Sequence, residues 1–320
     1  MSDFLLEIRN ASKTFKPEVF QAAVHSLKSV SLGFPQGNCT GLVGHNGAGK
    51  TTAIRMILGL ISPTRGEVLF RGKPMTRQNR SSIGYLAESV KFPAGLTCQE
   101  ILTTHLSLFN ITSAQSRKQL VAEKLEQVGL TYAKRRTAVS LSKGMRQRLA
   151  WAQATIHEPD LLILDEPFSG LDPLGRMTMK NWILAEKKRG LTMILCTHEL
   201  PQITALCDQI HILRRGELVF SSTGEAGAKS ALRDLPRYFV DISGASKGAL
   251  EAIQKKNQLP GWKTLHQDGF LQRLGFIDYN SAASWLAPAM AMGWVIVRFG
   301  DDNSATEEQL LVHFKEEFTQ

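Results

Sequence analysis

The sequence predicts an α/β fold, a parallel sheet whose strand ends carry a phosphate-binding loop, followed by a small α+β domain. Three stretches predict it. Gly44 to Thr52, Gly-His-Asn-Gly-Ala-Gly-Lys-Thr-Thr, lies between a buried strand ending in Leu42-Val43 and an apolar helix, Thr52-Ala-Ile-Arg-Met-Ile-Leu. Asp160-Leu-Leu-Ile-Leu-Asp165-Glu166-Pro167 is a buried strand that delivers two adjacent carboxylates to its carboxyl end. Beyond residue 225 the periodicities change to the order β-α-β-β-α-β, that of a ferredoxin-like domain.

The first stretch carries the most chemistry. Gly44, Gly49, Lys50 and Thr51 satisfy the phosphate-loop pattern: a glycine, four residues, then Gly-Lys-Ser/Thr. A triphosphate needs many donors close together, and glycines let consecutive backbone N–H groups turn inward without a Cβ in the way. Asn46, Gly47 and Thr52 complete the set of loop residues expected against the phosphates. The helix starting near Lys50 adds its positive end. Lys50 supplies an ammonium for the β- and γ-phosphates, and the Thr51 hydroxyl a ligand for Mg²⁺. With glycine at about 7% of residues, a chance match in this length is about a one-in-a-hundred event. The strand before the loop and the helix after it make coincidence rarer still.

Composition bounds the rest. The chain has 320 residues, 43% hydrophobic and 21% charged, a globular profile large enough for two domains. The amino terminus lacks a basic segment followed by an apolar one, so no signal peptide is expected. The longest uncharged run, Tyr279 to Val297, contains Pro288 and Gly293 and changes period midway, which reads as a helix followed by a strand rather than a membrane span. Cys39, Cys98, Cys196 and Cys207 are dispersed without a Cys-x-x-Cys pair, so reduced cysteines in a cytoplasmic protein are expected. The net charge of +9 is spread over short clusters such as Lys134-Arg-Arg, the pattern of solvated faces, and no nucleic acid partner is expected.

Along the chain, Phe4 to Arg9 is a short apolar run and Leu27 to Phe34 alternates as a half-buried strand, with Phe15 between them. An aromatic about thirty residues before a phosphate loop can stack on adenine. Glu67 to Phe70 and Ile83 to Glu88 read as further strands, the latter ending in a carboxylate. From about Thr97 to Gly129 the pattern turns helical, with helices over Gln99 to Phe109 and Ser116 to Val128, inside a helical subdomain expected at about residues 89–150. His105 has no partner ligand at helical spacing and reads as a plain helix residue. In a phosphate-loop protein Asp165 would hold Mg²⁺, and Glu166 would orient and deprotonate the attacking water. Thr192 to Cys196 is another strand, and His198 just beyond its end can reach a γ-phosphate.

These segments, in this order, resemble the nucleotide-binding subunit of the ATP-binding cassette family, over roughly residues 4 to 225. Leu141-Ser142-Lys143-Gly144-Met145 looks like that family's signature (Leu-Ser-Gly-Gly-Gln), Ser169-Gly-Leu-Asp172 like its D-loop, and His198 like its switch histidine. Phe15 falls at the aromatic A-loop position and Glu88 at the Q-loop position, where it would stand near the Mg²⁺. The resemblance implies a phosphate-loop NTPase cassette with a β-subdomain and a helical subdomain, and an ATPase with ATP and Mg²⁺ as cofactors. It implies two cassettes sandwiching two ATPs head to tail, so that Ser142 and Gly144 touch a γ-phosphate across the interface. One set of motifs per chain implies a homodimer. Lys143 and Met145 depart from the signature, and Glu88 replaces the usual glutamine with a carboxylate whose charge would repel the γ-phosphate unless the metal screens it.

Ser-Lys-Gly-Met-Arg-Gln-Arg and Tyr-Leu-x-Glu look like exporter cassettes that pair with a separate integral membrane subunit, a permease of six helices. Such a chain would sit in the cytoplasm at the inner face of the cell membrane. Within that set the motifs are similar to the ATPase serving copper-site maturation of nitrous oxide reductase, and gliding-motility and drug-resistance cassettes share much of them. The alternative is a soluble cassette acting on the ribosome or nucleic acid, but those usually carry two cassettes or a coiled-coil insertion.

Ser221-Ser-Thr-Gly-Glu-Ala-Gly reads as a linker, dividing the chain into a cassette of residues 1–225 and an accessory domain of 226–320. In the latter, Arg237 to Ile242 reads as a strand, Lys247 to Lys256 as a helix, and Trp262 to Ile277 as a hairpin around an Asp-Gly turn. Ser281 to Met292 reads as a helix, Trp294 to Arg298 as a strand, and Thr306 to Phe318 as a closing amphipathic helix. The domain holds no convergent acids, bases or ligands, so a regulatory or dimer-supporting role is expected.

Overall fold

All residues of β3 (Cys39–Val43), β7 (Leu161–Asp165) and β8 (Thr192–Thr197) are buried, as expected of parallel strands covered on both faces. The computed structural model describes residues 4–15, 23–109, 113–198, 205–222, 238–245, 250, 263–268, 271–276 and 279–301. In it these strands form the middle of a sheet with β6 (Ile83–Leu86) at one edge and β9 (Gln209–Arg214) and β10 (Glu217–Ser221) at the other. The order is β10-β9-β3-β8-β7-β6, parallel throughout except for β10. Val43 pairs with Thr197, Cys196 with Asp165, and Leu164 with Leu86. Four carboxyl ends therefore finish side by side, where open α/β sheets bind ligands.

A second, antiparallel sheet has the order β2-β1-β4-β5, from β1 (Phe4–Phe15), β2 (Val24–Pro35), β4 (Arg65–Phe70) and β5 (Lys73–Pro74). β1 and β2 run well past the apolar run of Phe4 to Arg9 and the alternating segment of Leu27 to Phe34. Pairing continues across bulges, with Asn10 and Ser29 at φ of 46° and 51°, and each bulge resets which face a residue presents. Leu6, Ile8 and Phe34 of this sheet pack with Ile54 and Ile57 of α1 (Lys50–Ile57) and with Leu161 and Ile163 of β7 in one core. That core fixes α1 under the loop it follows.

Among the described residues before 198, the longer helices after α1 are α2 (Cys98–Ser107), α3 (Ala114–Gln127), α4 (Lys143–Thr155) and α5 (Pro173–Lys188). Each has a side-chain cap: Thr97, with Glu100 closing a capping box, then Ser113, Ser142 and Asp172. Such caps contribute about 1 kcal/mol each. β6 ends at Leu86, two residues short of the expected strand, which leaves Glu88 in the loop beyond it.

By contact the chain divides into two compact units, residues 1–197 with 206–225, and residues 198–205 with 226–320. The second contains an antiparallel sheet, β12 (Lys263–Asp268), β13 (Leu271–Phe276), β11 (Tyr238–Ser243) and β14 (Val295–Asp301), in that spatial order. Val240, Ile242, Leu274 and Phe276 form its core with Trp285 and Ala289. The helix expected over Ser281 to Met292 is two pieces, α6 (Tyr279–Ser284) and α7 (Leu286–Ala291). Pro288 has no N–H to give the Ser284 carbonyl, and Trp285 bonds back three residues to Ala282 instead of four. Leu250 is helical and buried; the rest of the helix expected at 247–256, and that at 306–318, lie outside the described residues. Among the described residues no helix is long and apolar enough to cross a membrane, and all four cysteines are buried and free.

Candidate functional site

The loop between β3 and α1 is built by packing on one side and left open on the other. Gly49 caps α1 at φ 111°, and a Cβ there would meet Leu27 Cδ2 at 2.7 Å and the Ser26 carbonyl at 2.8 Å. A Cβ on Gly44 would meet the Leu213 carbonyl at 2.5 Å. β2 and the turn after β9 thus press the loop from behind: Gly216 N–H donates to Ala48 O, and Ser26 Oγ lies 2.6 Å from Thr52 Oγ1. At the tip, Gly47 has φ 84° and nothing within 4 Å of its Cβ position, and His45 and Asn46 are exposed. Lys50 is buried, its ammonium donating to the carbonyls of Gly44 and His45, inside the curve of the loop. Thr51 is exposed at the first turn of α1.

Asp165 closes β7, 8% exposed, with one carboxylate oxygen accepting from the Tyr85 hydroxyl at 3.3 Å. Burial raises its pKa first; the Tyr85 hydrogen bond and Lys50 lower it, while Glu88 and Glu166 raise it. Glu88 and Lys50 are therefore both within electrostatic reach of Asp165. Burial and the facing Asp165 push the Tyr85 hydroxyl well above its usual range.

Glu166 follows at φ 46°, a left-handed conformation that costs a non-glycine residue strain and recurs at functional sites. Two bonds to β8 hold it: its N–H donates to Cys196 O at 2.8 Å, and Thr197 Oγ1 donates to its Oε2 at 3.2 Å. His198 comes directly after Thr197 and is exposed. Phe15 ends β1, exposed, with the Lys13 ammonium 5.4 Å from its ring centroid; it pairs with Val24, two residues from Ser26. Ser142 caps α4 by accepting from the Met145 N–H. With Gly144, Leu171, Asp172 and Trp182 it lines a cavity of about 310 Å³.

Three contacts are invisible in the linear pattern. Tyr85 and Thr197 reach Asp165 and Glu166 through strand pairing. His105 has a partner after all, but 52 residues away: its Nε2 is 3.3 Å from His157 Nδ1, and His157 Nε2 is 3.3 Å from Ile83 O. Phe109 stacks on His157 at 4.2 Å, so this pair joins α2, the end of α4 and β6.

The arrangement can hold a polyphosphate against N–H donors and an ammonium, with oxygen donors beside it that suit a hard divalent cation. A family profile described as "ABC transporter" matches residues 27–169. An ABC transporter ATP-binding protein of Nostoc sp. is 43% identical over 203 residues, 62% of this chain and 60% of that protein. One of Alkalihalophilus pseudofirmus is 33% identical over 79% of this chain and 91% of that protein. The bacitracin transport ATP-binding protein of Bacillus licheniformis is 38% identical over 61% and 63%. A solved "ATP binding subunit of ABC transporter" aligns with a TM-score of 0.62 at 29% identity, over 72% of this chain and 92% of that one. The chain thus spans about 60% of the length of the Nostoc relative.

Proposed function

The chain belongs to the ABC transporter family of ATP-binding subunits, which are ATPases, and on that premise we propose how its residues divide the work. Lys50 and the backbone of Gly44 to Thr52 bind the phosphates of ATP, with Phe15 stacking on the adenine. Thr51 and Asp165 hold Mg²⁺, with Glu88 beside it; when bound, the ion neutralises phosphate charge. The donors fit it, since hydroxyl and carboxylate oxygens are what Mg²⁺ takes. Glu166 accepts the proton of the attacking water, and His198 steadies the γ-phosphate. Ser142 and Gly144 act on the ATP of a second copy.

One observation carries this reading. The loop after β3, Asp165 at the end of β7 and Glu166 beside Thr197 at the end of β8 stand at neighbouring strand ends. A base needs hydrogen-bond reach to its water and a fixed direction, and the Thr197 and Cys196 bonds supply the direction. Phosphate release by the purified chain with Mg-ATP tests it. Glu166→Gln hydrolysing at the parent rate would remove the assigned base.

The energy goes, in this reading, to a separate membrane subunit at the cytoplasmic face, through closure and opening of a homodimer. Export is supported by the likeness of the signature and Q-loop segments to exporter cassettes. A role in copper-site maturation of nitrous oxide reductase is the narrowest version. A gene for a six-helix membrane protein beside this one would support the wider proposal. Residues 226–320 form the accessory domain, with a regulatory or dimer-supporting part.

A further inference from the structure

Tyr85 opens the Tyr-Leu-x-Glu segment but has no role assigned to it in binding or hydrolysis, yet it makes a direct side-chain hydrogen bond to Asp165. It stands on β6 in register with Ile163 of β7. Side chains two apart on a strand share a face, so Ile163 and Asp165 lie on the same side of β7. The tyrosine is long enough to reach past its own register partner to the next residue on that face, as aromatic side chains do on diagonal pairs. Its hydroxyl donates to Asp165 Oδ2 at 3.3 Å. The residue is 36% exposed on β6, the edge strand of the sheet, and its hydroxyl end meets the Asp165 carboxylate. Three residues later on the same segment comes Glu88, whose charge acts on the same carboxylate.

We propose that Tyr85 is a positioning residue for Asp165, holding one carboxylate oxygen so that the other is presented to the divalent cation, and that it links this orientation to the segment carrying Glu88. The inference rests on the reading of Asp165 as a ligand of that ion. An ionised carboxylate has about four lone-pair sites, so a bond from Tyr85 leaves enough free for the ion or its water. It also removes the rotation that would otherwise be lost when the ion binds. A displacement of the loop after Leu86 would pass through Tyr85 to the carboxylate, a mechanical route from the helical region to the site.

The experiment compares the full chain with Tyr85→Phe and Asp165→Asn. Calorimetry measures binding of the non-hydrolysable β,γ-imido analogue of ATP, first in EDTA and then across a Mg²⁺ series. Tyr85→Phe should match the parent in EDTA and raise the Mg²⁺ midpoint roughly fivefold, the size of one lost hydrogen bond. Asp165→Asn should raise it further. A Tyr85→Phe midpoint equal to the parent's, with Asp165→Asn shifted, overturns this inference and leaves the Asp165 reading standing. An unshifted Asp165→Asn overturns both. Parallel losses in EDTA and in Mg²⁺ for Tyr85→Phe would show a merely structural residue, which also overturns it.

Discussion

Thr197 Oγ1 donates a hydrogen bond to Glu166 Oε2 at 3.2 Å, so the last residue of β8 aims the carboxylate that follows β7. The bond crosses between strands whose register, Asp165 opposite Cys196, leaves Glu166 one step beyond the ladder. A carboxylate held this way is pre-aimed, which is where a general base gains its efficiency.

Glu166→Gln should therefore keep ATP binding and lose at least about a hundredfold in kcat. Thr197→Val should lower kcat several-fold with little change in nucleotide affinity, because it frees the carboxylate without removing it. Lys50→Ala should instead weaken binding itself. Steady-state phosphate release and equilibrium nucleotide binding separate the three.

Ser142 has a structural part as well as a proposed one. As the cap of α4 it satisfies the Met145 N–H, so Ser142→Ala should cost about 1 kcal/mol of stability. Ser142→Asp keeps a capping oxygen but brings a negative charge toward the partner's γ-phosphate. In a Glu166→Gln background, Mg-ATP should accumulate a dimer that Ser142→Asp abolishes while the melting temperature holds. Sedimentation reads the dimer, and an undiminished dimer would exclude Ser142 from the interface.

The His105 and His157 pair sets a pH dependence. Burial first, then the neighbouring His157, holds His105 down at about 4 from an ordinary 6.5; His157 is lowered by burial, with Lys124 of α3 adding to the effect. Backbone groups at Ile83 and Gln153 act the other way on His157, and Gln153 Nε2 lies 3.4 Å from His105 Nδ1. Between pH 6.5 and 4 the unfolded chain binds more protons than the folded one, so stability falls as pH falls through that window. His105→Gln should flatten this part of a melting-temperature profile relative to the parent. Two superimposable profiles would show that the pair does not titrate as described.

Removing residues 230–320 should leave nucleotide binding intact. Every phosphate-contacting candidate except His198 lies in residues 1–197, and the core of that unit shares no residue with the core of the second. Dimerisation or coupling to a membrane subunit should weaken. Nucleotide affinity of purified residues 1–229, with ATPase rate in the presence of the membrane subunit, checks both parts. Lost nucleotide binding in a folded truncation would place the tail in the site.

Much of this was written in consecutive residues. A phosphate loop is a local object: Gly44, Gly49, Lys50 and Thr51 fall within eight residues, so their spacing alone predicts one. A fully buried strand such as Leu161 to Asp165 likewise declares itself by four aliphatics and its acidic end. Boundaries were less legible where the period was broken, as at the bulges of Asn10 and Ser29 and at Pro288, because alternation carries information only while the phase is kept.

What the chain could not state in linear order is which strand lies beside which. Parallel neighbours are joined by long crossovers, so Tyr85 and Asp165 are 80 residues apart and Glu166 and Thr197 are 31 apart, yet each pair shares a hydrogen bond. The sequence by itself determined the chemical groups and the short-range geometry of the loop. The sheet order β3-β8-β7-β6 decided the rest, because register between strands is set by the packing of whole buried faces and not by any one residue.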